Sequence, residues 1–116
     1  MQVRDATVSI PVTDLGRAIA WYRAALELGE PDLVPADGIV EFRLGPCWLQ
    51  LAEDPERAET RGVSVNLSVA DTAAERERLA AAGASVTELR RFEGAVELVE
   101  LTDPDGNAIG FVTVLV

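Results

Sequence analysis

Histidine is absent from all 116 residues, so the commonest metal ligand and the usual general base at neutral pH are both missing. No Ser-His or Cys-His nucleophile pair can be assembled, and no Gly-x-Ser-x-Gly elbow, Walker loop or dinucleotide fingerprint occurs. Chemistry therefore falls to carboxylates, amides, hydroxyls and an indole. Glu100 lies between Val99 and Leu101, so on a strand it projects away from these apolar neighbours and is a candidate general base, with a plain solvent-facing carboxylate as the alternative. Trp48 and Gln50 are two apart and leave a strand on the same side. The indole offers a flat surface for a planar or cationic ligand, or else packs into the core. Glu41 and Arg43 share a parity on the preceding run and either line the same cavity or form a solvated ion pair.

Other reactive-looking features have simpler readings. Cys47 is the single cysteine, so no intrachain disulfide forms, and its strand-like setting points to a small buried hydrophobe. Asp103-Pro104-Asp105-Gly106 is rich in oxygen. An EF-hand loop, however, needs its Gly sixth and a bidentate Glu twelfth, whereas here Gly is fourth and Asn107-Ala108-Ile109 opens a strand, so the segment reads as a turn. Arg90-Arg91 is the densest basic spot and reads as a solvated strand end.

Twenty acidic against ten basic residues give a net charge of −10, which repels nucleic-acid phosphates and anionic lipid headgroups. The apolar runs fall far short of the roughly 20 residues of a membrane span. The opening Met1-Gln2-Val3-Arg4-Asp5 shows no apolar signal region, and the expectation is a cytoplasmic protein.

The elements that must position these residues follow from periodicity. Val8, Ile10 and Val12 alternate with Thr7, Ser9 and Pro11, as on a half-buried strand. Thr13 or Asp14 then caps a helix whose Leu15, Ala18, Ile19, Tyr22, Ala25 and Leu26 make one apolar stripe. Three strands follow, around Leu33-Val34, over Ile39 to Leu44 and over Cys47 to Leu51, parted by Asp37-Gly38 and Gly45-Pro46. Asp54 to Arg61 is charged, carries Pro55 and reads as a linker. The order then restarts. Val65, Leu67 and Val69 alternate with Ser64, Asn66 and Ser68, and Asp71 or Thr72 caps a helix running to Ala82 and closed by Gly83. Strands over Val86 to Leu89, Val96 to Leu101 and Ala108 to Val114 complete it. The expectation is one α+β domain of two βαβββ units, residues 1–53 and 62–116, joined by the linker 54–61. With helices on the convex face of each sheet, the small polar side chains Thr7, Ser9, Ser64 and Asn66 fall on the opposite faces, and two such sheets facing each other would enclose a cleft.

In this order of elements the chain resembles the vicinal oxygen chelate superfamily, which includes glyoxalase I, extradiol dioxygenases and the fosfomycin and bleomycin resistance proteins. The resemblance is carried by Val8-Ser9-Ile10-Pro11-Val12-Thr13-Asp14-Leu15 leading to Ala20-Trp21-Tyr22, by Val69-Ala70-Asp71, and by Asp103-Pro104-Asp105-Gly106-Asn107 before a strand. It implies a glyoxalase-like paired curved sheet and a homodimer. It also implies that the four places where metal-dependent members carry ligands correspond to Thr7, Gln50, Ser64 and Gly110. Two hydroxyls, a neutral amide and a glycine are not a competent set for a first-row metal, so the expectation is no metal and no cofactor.

Two functions follow as expectations. The first is a metal-free small-molecule binding protein that sequesters a drug or metabolite, its ligand cationic or aromatic, with Thr7, Ser9, Glu41, Arg43, Trp48, Gln50, Ser64, Asn66 and Glu100 as the binding set. The second is a metal-independent isomerase or lyase using Glu100 or Glu41 as base. A regulatory module acting through its subunit contacts is a third and weaker reading.

Overall fold

Strand alternation and two Asp-led helix starts decide the local structure. In the computed structural model, which describes residues 1–60 and 62–115, the order is β1 (Ala6–Val12), α1 (Leu15–Leu26), β2 (Leu33–Ala36), β3 (Ile39–Leu44), β4 (Cys47–Glu53), α2 (Pro55–Thr60), β5 (Ser64–Ser68), α3 (Thr72–Ala81), β6 (Arg90–Phe92), β7 (Val96–Thr102) and β8 (Ala108–Val114). The chain forms two compact units, one ending at Gly62 and the other beginning at Val63. Each holds one four-stranded mixed sheet, ordered β1-β4-β3-β2 in the first and β5-β8-β7-β6 in the second. This is the expected α+β architecture of two βαβββ units.

In the first unit β1 runs parallel to β4, and β3 runs antiparallel to β4. The register sets Val8 beside Leu49 and Phe42, and Ile10 beside Leu51 and Val40. Of these, Ile10, Leu49, Leu51, Val40 and Phe42 are buried, together with Ala18, Tyr22 and Ala25 of α1. One helical stripe thus covers one sheet face, and each fully buried large side chain stabilises the unit by about 1.5–3 kcal/mol. In the second unit Val99, Leu101, Ile109 and Phe111 pack with Leu79 of α3 in the same way.

The helix starts repeat as well. Asp14 Oδ1 accepts from Arg17 N, and Asp71 Oδ1 accepts from Ala74 N. A strand side chain then takes one more first-turn N–H in each unit: Glu53 Oε1 from Leu15 N, and Thr113 Oγ1 from Thr72 N. Each helix is thereby pinned to the last strand of its own sheet.

Two expectations change. The segment read as a linker contains the short helix α2. Asp54 Oδ1 accepts from Arg57 N, and Pro55 sits at the first helical position, where its missing N–H costs nothing. The other end of that segment, Arg61, lies outside the described residues, as does Val116 at the end of the second unit. The strand expected over Val86 to Leu89 is displaced to Arg90–Phe92, leaving only a bridge between Val86 and Leu101. The cause is the tight turn after Phe92, closed by Ala95 N donating to Phe92 O, which sets Arg90 against Leu98. Arg90 and Arg91 therefore lie within an edge strand rather than beyond one, and both are exposed.

The Asp103–Asn107 turn is built inward. Asp103 and Asn107 are buried. Asp103 Oδ1 accepts from the backbone N–H groups of Asp105 and Asn107, and its Oδ2 accepts from Asn107 Nδ2. Asn107 Oδ1 in turn accepts from Val63 N, tying the β7–β8 hairpin to the start of β5. Asn107→Ala strands several buried partners at once, so the expected loss is about 2–4 kcal/mol by urea unfolding, whereas Asp37→Ala in the exposed β2–β3 turn stays within about 0.5 kcal/mol.

Candidate functional site

The face of each sheet away from its helix carries the polar residues, in rows set by strand register. In the first unit one row is Thr7–Trp48–Arg43 and the next is Ser9–Gln50–Glu41. The third, Pro11–Ala52–Ile39, is apolar. Strand register thus brings all six expected site residues of this unit onto one face. Thr7 and Gln50 fall in adjacent rows rather than directly opposite each other.

The middle row is a closed chain. Ser9 Oγ donates to Gln50 Oε1 at 2.8 Å, and Gln50 Nε2 donates to Glu41 Oε2 at 2.7 Å. Gln50, central in the row, serves both neighbours because an amide accepts at one end and donates at the other. In the first row the Arg43 guanidinium lies over the Trp48 ring, 5.1 Å from its centroid, and donates from Nε to Gly45 O. Its terminal nitrogen reaches the Asp5 carboxylate at 3.6 Å. No ion pair joins Glu41 to Arg43 among the described residues: Glu41 is held by Gln50 and Arg43 by Trp48 and Asp5. Asp5 was not legible as a site residue because it precedes the periodic part of β1.

In the second unit the equivalent rows are Ser64–Ala108–Thr102 and Asn66–Gly110–Glu100, followed by Ser68–Val112–Leu98 with Arg90 at the edge. Ser64, Asn66 and Glu100 share this face, and Asn66 and Glu100 flank Gly110 directly. Gly110 is buried. A Cβ added there would collide with Asn66 Oδ1 and lie 3.3 Å from Leu98 Cδ1, so the Asn66 amide already fills the volume that a side chain at 110 would use. Glu100 is half-buried, and its strand is held by Glu100 N donating to Thr87 Oγ1 and Thr87 N donating to Glu100 O. Thr87 is a contributor that sequence did not mark, since a hydroxyl supporting a neighbouring backbone has no periodic signature.

Comparison with known proteins agrees with this fold. A family model described as a glyoxalase-like domain matches residues 6–112. A solved glyoxalase/bleomycin resistance protein from Catenulispora acidiphila is 28% identical with a TM-score of 0.83, covering 97% of this chain and 100% of its own. The bleomycin resistance determinant encoded on transposon Tn5 is 18% identical with a TM-score of 0.81, covering 98% and 100%. A lactoylglutathione lyase from Agrobacterium tumefaciens is 20% identical with a TM-score of 0.78, covering 93% and 91%. The last two likenesses are of fold alone. No curated protein matches the chain.

The metal implied for some members of such a fold does not fit the donors present. Gln50 is engaged at both amide atoms, Gly110 has no side chain, and Thr7 and Ser64 offer only protonated hydroxyls. Among the described residues, no group of three or more His, Cys, Asp or Glu lies together.

The Ser9–Gln50–Glu41 chain makes a specific energetic demand. Gln50→Glu replaces the donor facing Glu41 with a second carboxylate, and unfolding in urea should show a loss of about 1–2 kcal/mol. In the Glu41→Gln background the same change should cost less, giving a coupling energy of about 1 kcal/mol in a double-mutant cycle.

Proposed function

Because the chain belongs to the glyoxalase-like domain family, we propose that it binds a small, flat, positively charged organic molecule on an open sheet face without a transition metal. In this reading it sequesters a drug or metabolite rather than converting it. The observation that carries it is the Ser9–Gln50–Glu41 chain: a position that could hold a metal ligand is instead a neutral amide committed to its neighbours. A net charge of −10 attracts a cationic ligand over distances set by ionic strength. Trp48 supplies an aromatic surface that already accepts one cation, the chain's own Arg43. Solved proteins of this fold include three named for bleomycin resistance, which supports a small organic molecule as the ligand.

The protein works, in this proposal, as a cytoplasmic homodimer that contacts neither nucleic acid nor membrane. No helix among the described residues is long and apolar enough to cross a membrane. Native mass spectrometry reads the subunit number directly.

The second reading, an isomerase or lyase, gains one observation: Glu41 is taken by Gln50, whereas no described side chain claims the Glu100 carboxylate, so Glu100 is the better base of the two. Binding without turnover separates it from the first.

Thermal unfolding with flat aromatic cations such as ethidium or berberine should show a rise in melting temperature, corresponding to about 2.7 kcal/mol at a hundredfold excess over the dissociation constant. Anionic aromatics of similar size should give none. Trp48→Ala should abolish most of the rise, and prior dialysis against a chelator should leave it unchanged. A stoichiometric metal that binding requires, or a Trp48→Ala variant that responds like the parent, would refute the proposal.

A further inference from the structure

The two units place the same kind of row at the same point of the sheet and treat it differently. In the first, Ser9, Gln50 and Glu41 satisfy one another. In the second, Gly110 occupies the central place and its flanking partners, Asn66 and Glu100, are not bridged by it. No described side chain hydrogen-bonds to the Asn66 amide or to the Glu100 carboxylate, although Asn66 leans across Gly110 and Glu100 is half-buried. We infer that Asn66 and Glu100, standing on either side of Gly110 on the second sheet, take a planar amidinium-like or guanidinium-like group of the ligand. This rests on the small-molecule reading above and names the chemistry of its ligand.

The missing side chain at 110 is what lets the Asn66 amide lie over the glycine. A residue with a Cβ there would push the amide away, as the collision with Asn66 Oδ1 shows. A carboxylate only accepts hydrogen bonds, and the oxygen is the Asn66 atom nearest the glycine, so a ligand group lying between them must donate to both sides. A flat group with N–H donors on two edges meets that demand, and hydrogen bonds to a carboxylate from a charged donor are the stronger kind. Leu98, whose Cδ1 approaches the same gap, gives an apolar wall for the ring that carries the group. In the first unit the equivalent carboxylate, Glu41, already accepts from Gln50 Nε2.

The test is isothermal titration of the full chain with benzamidinium, benzamide and benzoate, which share a ring and differ in charge and donor number. Benzamidinium should bind best. Asn66→Ala and Glu100→Gln should each weaken it about tenfold or more, and Asp37→Asn, in the exposed β2–β3 turn, less than about threefold. Gly110→Ala should weaken it as Asn66→Ala does. Because that variant could also disturb the sheet, Asn66→Ala on the exposed face is the deciding one. The Asn66 side-chain amide resonances, followed by NMR, should shift on titration. Benzamidinium binding that survives both Asn66→Ala and Glu100→Gln overturns the inference while leaving small-molecule binding intact. Preference for benzoate would assign the charged contact to Arg90, at the edge of the same face, and overturn it too. If flat aromatics of every charge fail to bind, the sequestration reading itself falls.

Discussion

The parallel pairing of the first and last strands in each unit, β1 with β4 and β5 with β8, is the constraint on which the site depends. A parallel pair cannot be joined by a tight hairpin, so the chain must leave through a helix and return through two antiparallel strands. That route lays α1 or α3 over one face of its sheet and leaves the other face bare of helix. It also fixes which residues become neighbours across the sheet. Once Ser9 is set opposite Gln50, the period of two along every strand sends Val8 and Ile10 to the helix and Thr7 to the open side. A slip of one residue would exchange the core with the site.

Much of this was legible because burial and alternation are the same signal. The strands Ile39–Leu44 and Ala108–Val114 form as their alternation and flanking glycines require, and the stripe on α1 buries Ala18, Tyr22 and Ala25 where a period of 3.6 puts them. Three things were not legible, each for a physical reason. The helix α2 has almost no apolar stripe, and its signal lay instead in the pair Asp54-Pro55, a cap followed by a residue suited to the first turn. The edge strand β6 takes its place from the turn after Phe92 rather than from its own residues, two of which are arginines. The buried Asp103–Asn107 network reads in sequence as a turn, and nothing in its composition says that its carboxylate and amide point inward to hold Val63.

For the site, parity identified the open face, but sequence could not reveal how its members pair. Glu41 and Arg43 looked like partners because they share a face at a spacing of two. The structure separates them, since Gln50 outcompetes Arg43 for the carboxylate from directly across the strand pair, while Trp48 and Asp5 hold the guanidinium. Directly opposed side chains are closer than those two apart on one strand, and that difference decides the pairing.

The duplicated architecture gives an internal control that single-unit folds lack. Both units have the same strand order, the same Asp cap and the same extra contact from the last strand to the helix start, so differences between their open faces are not consequences of scaffold. Where the first unit has Gln50, the second has Gly110, and the rest of each row differs accordingly. With an amide in the middle, a serine and a glutamate are drawn into one chain, Ser9 Oγ donating to it and Glu41 Oε2 accepting from it. With a glycine in the middle, the longer Asn66 reaches across the gap and the glutamate beyond it stays unclaimed by the sheet. Of the two rows, that of the second unit leaves the more hydrogen-bonding capacity unspent, because a polar group already paired with its neighbours gains little from a new partner.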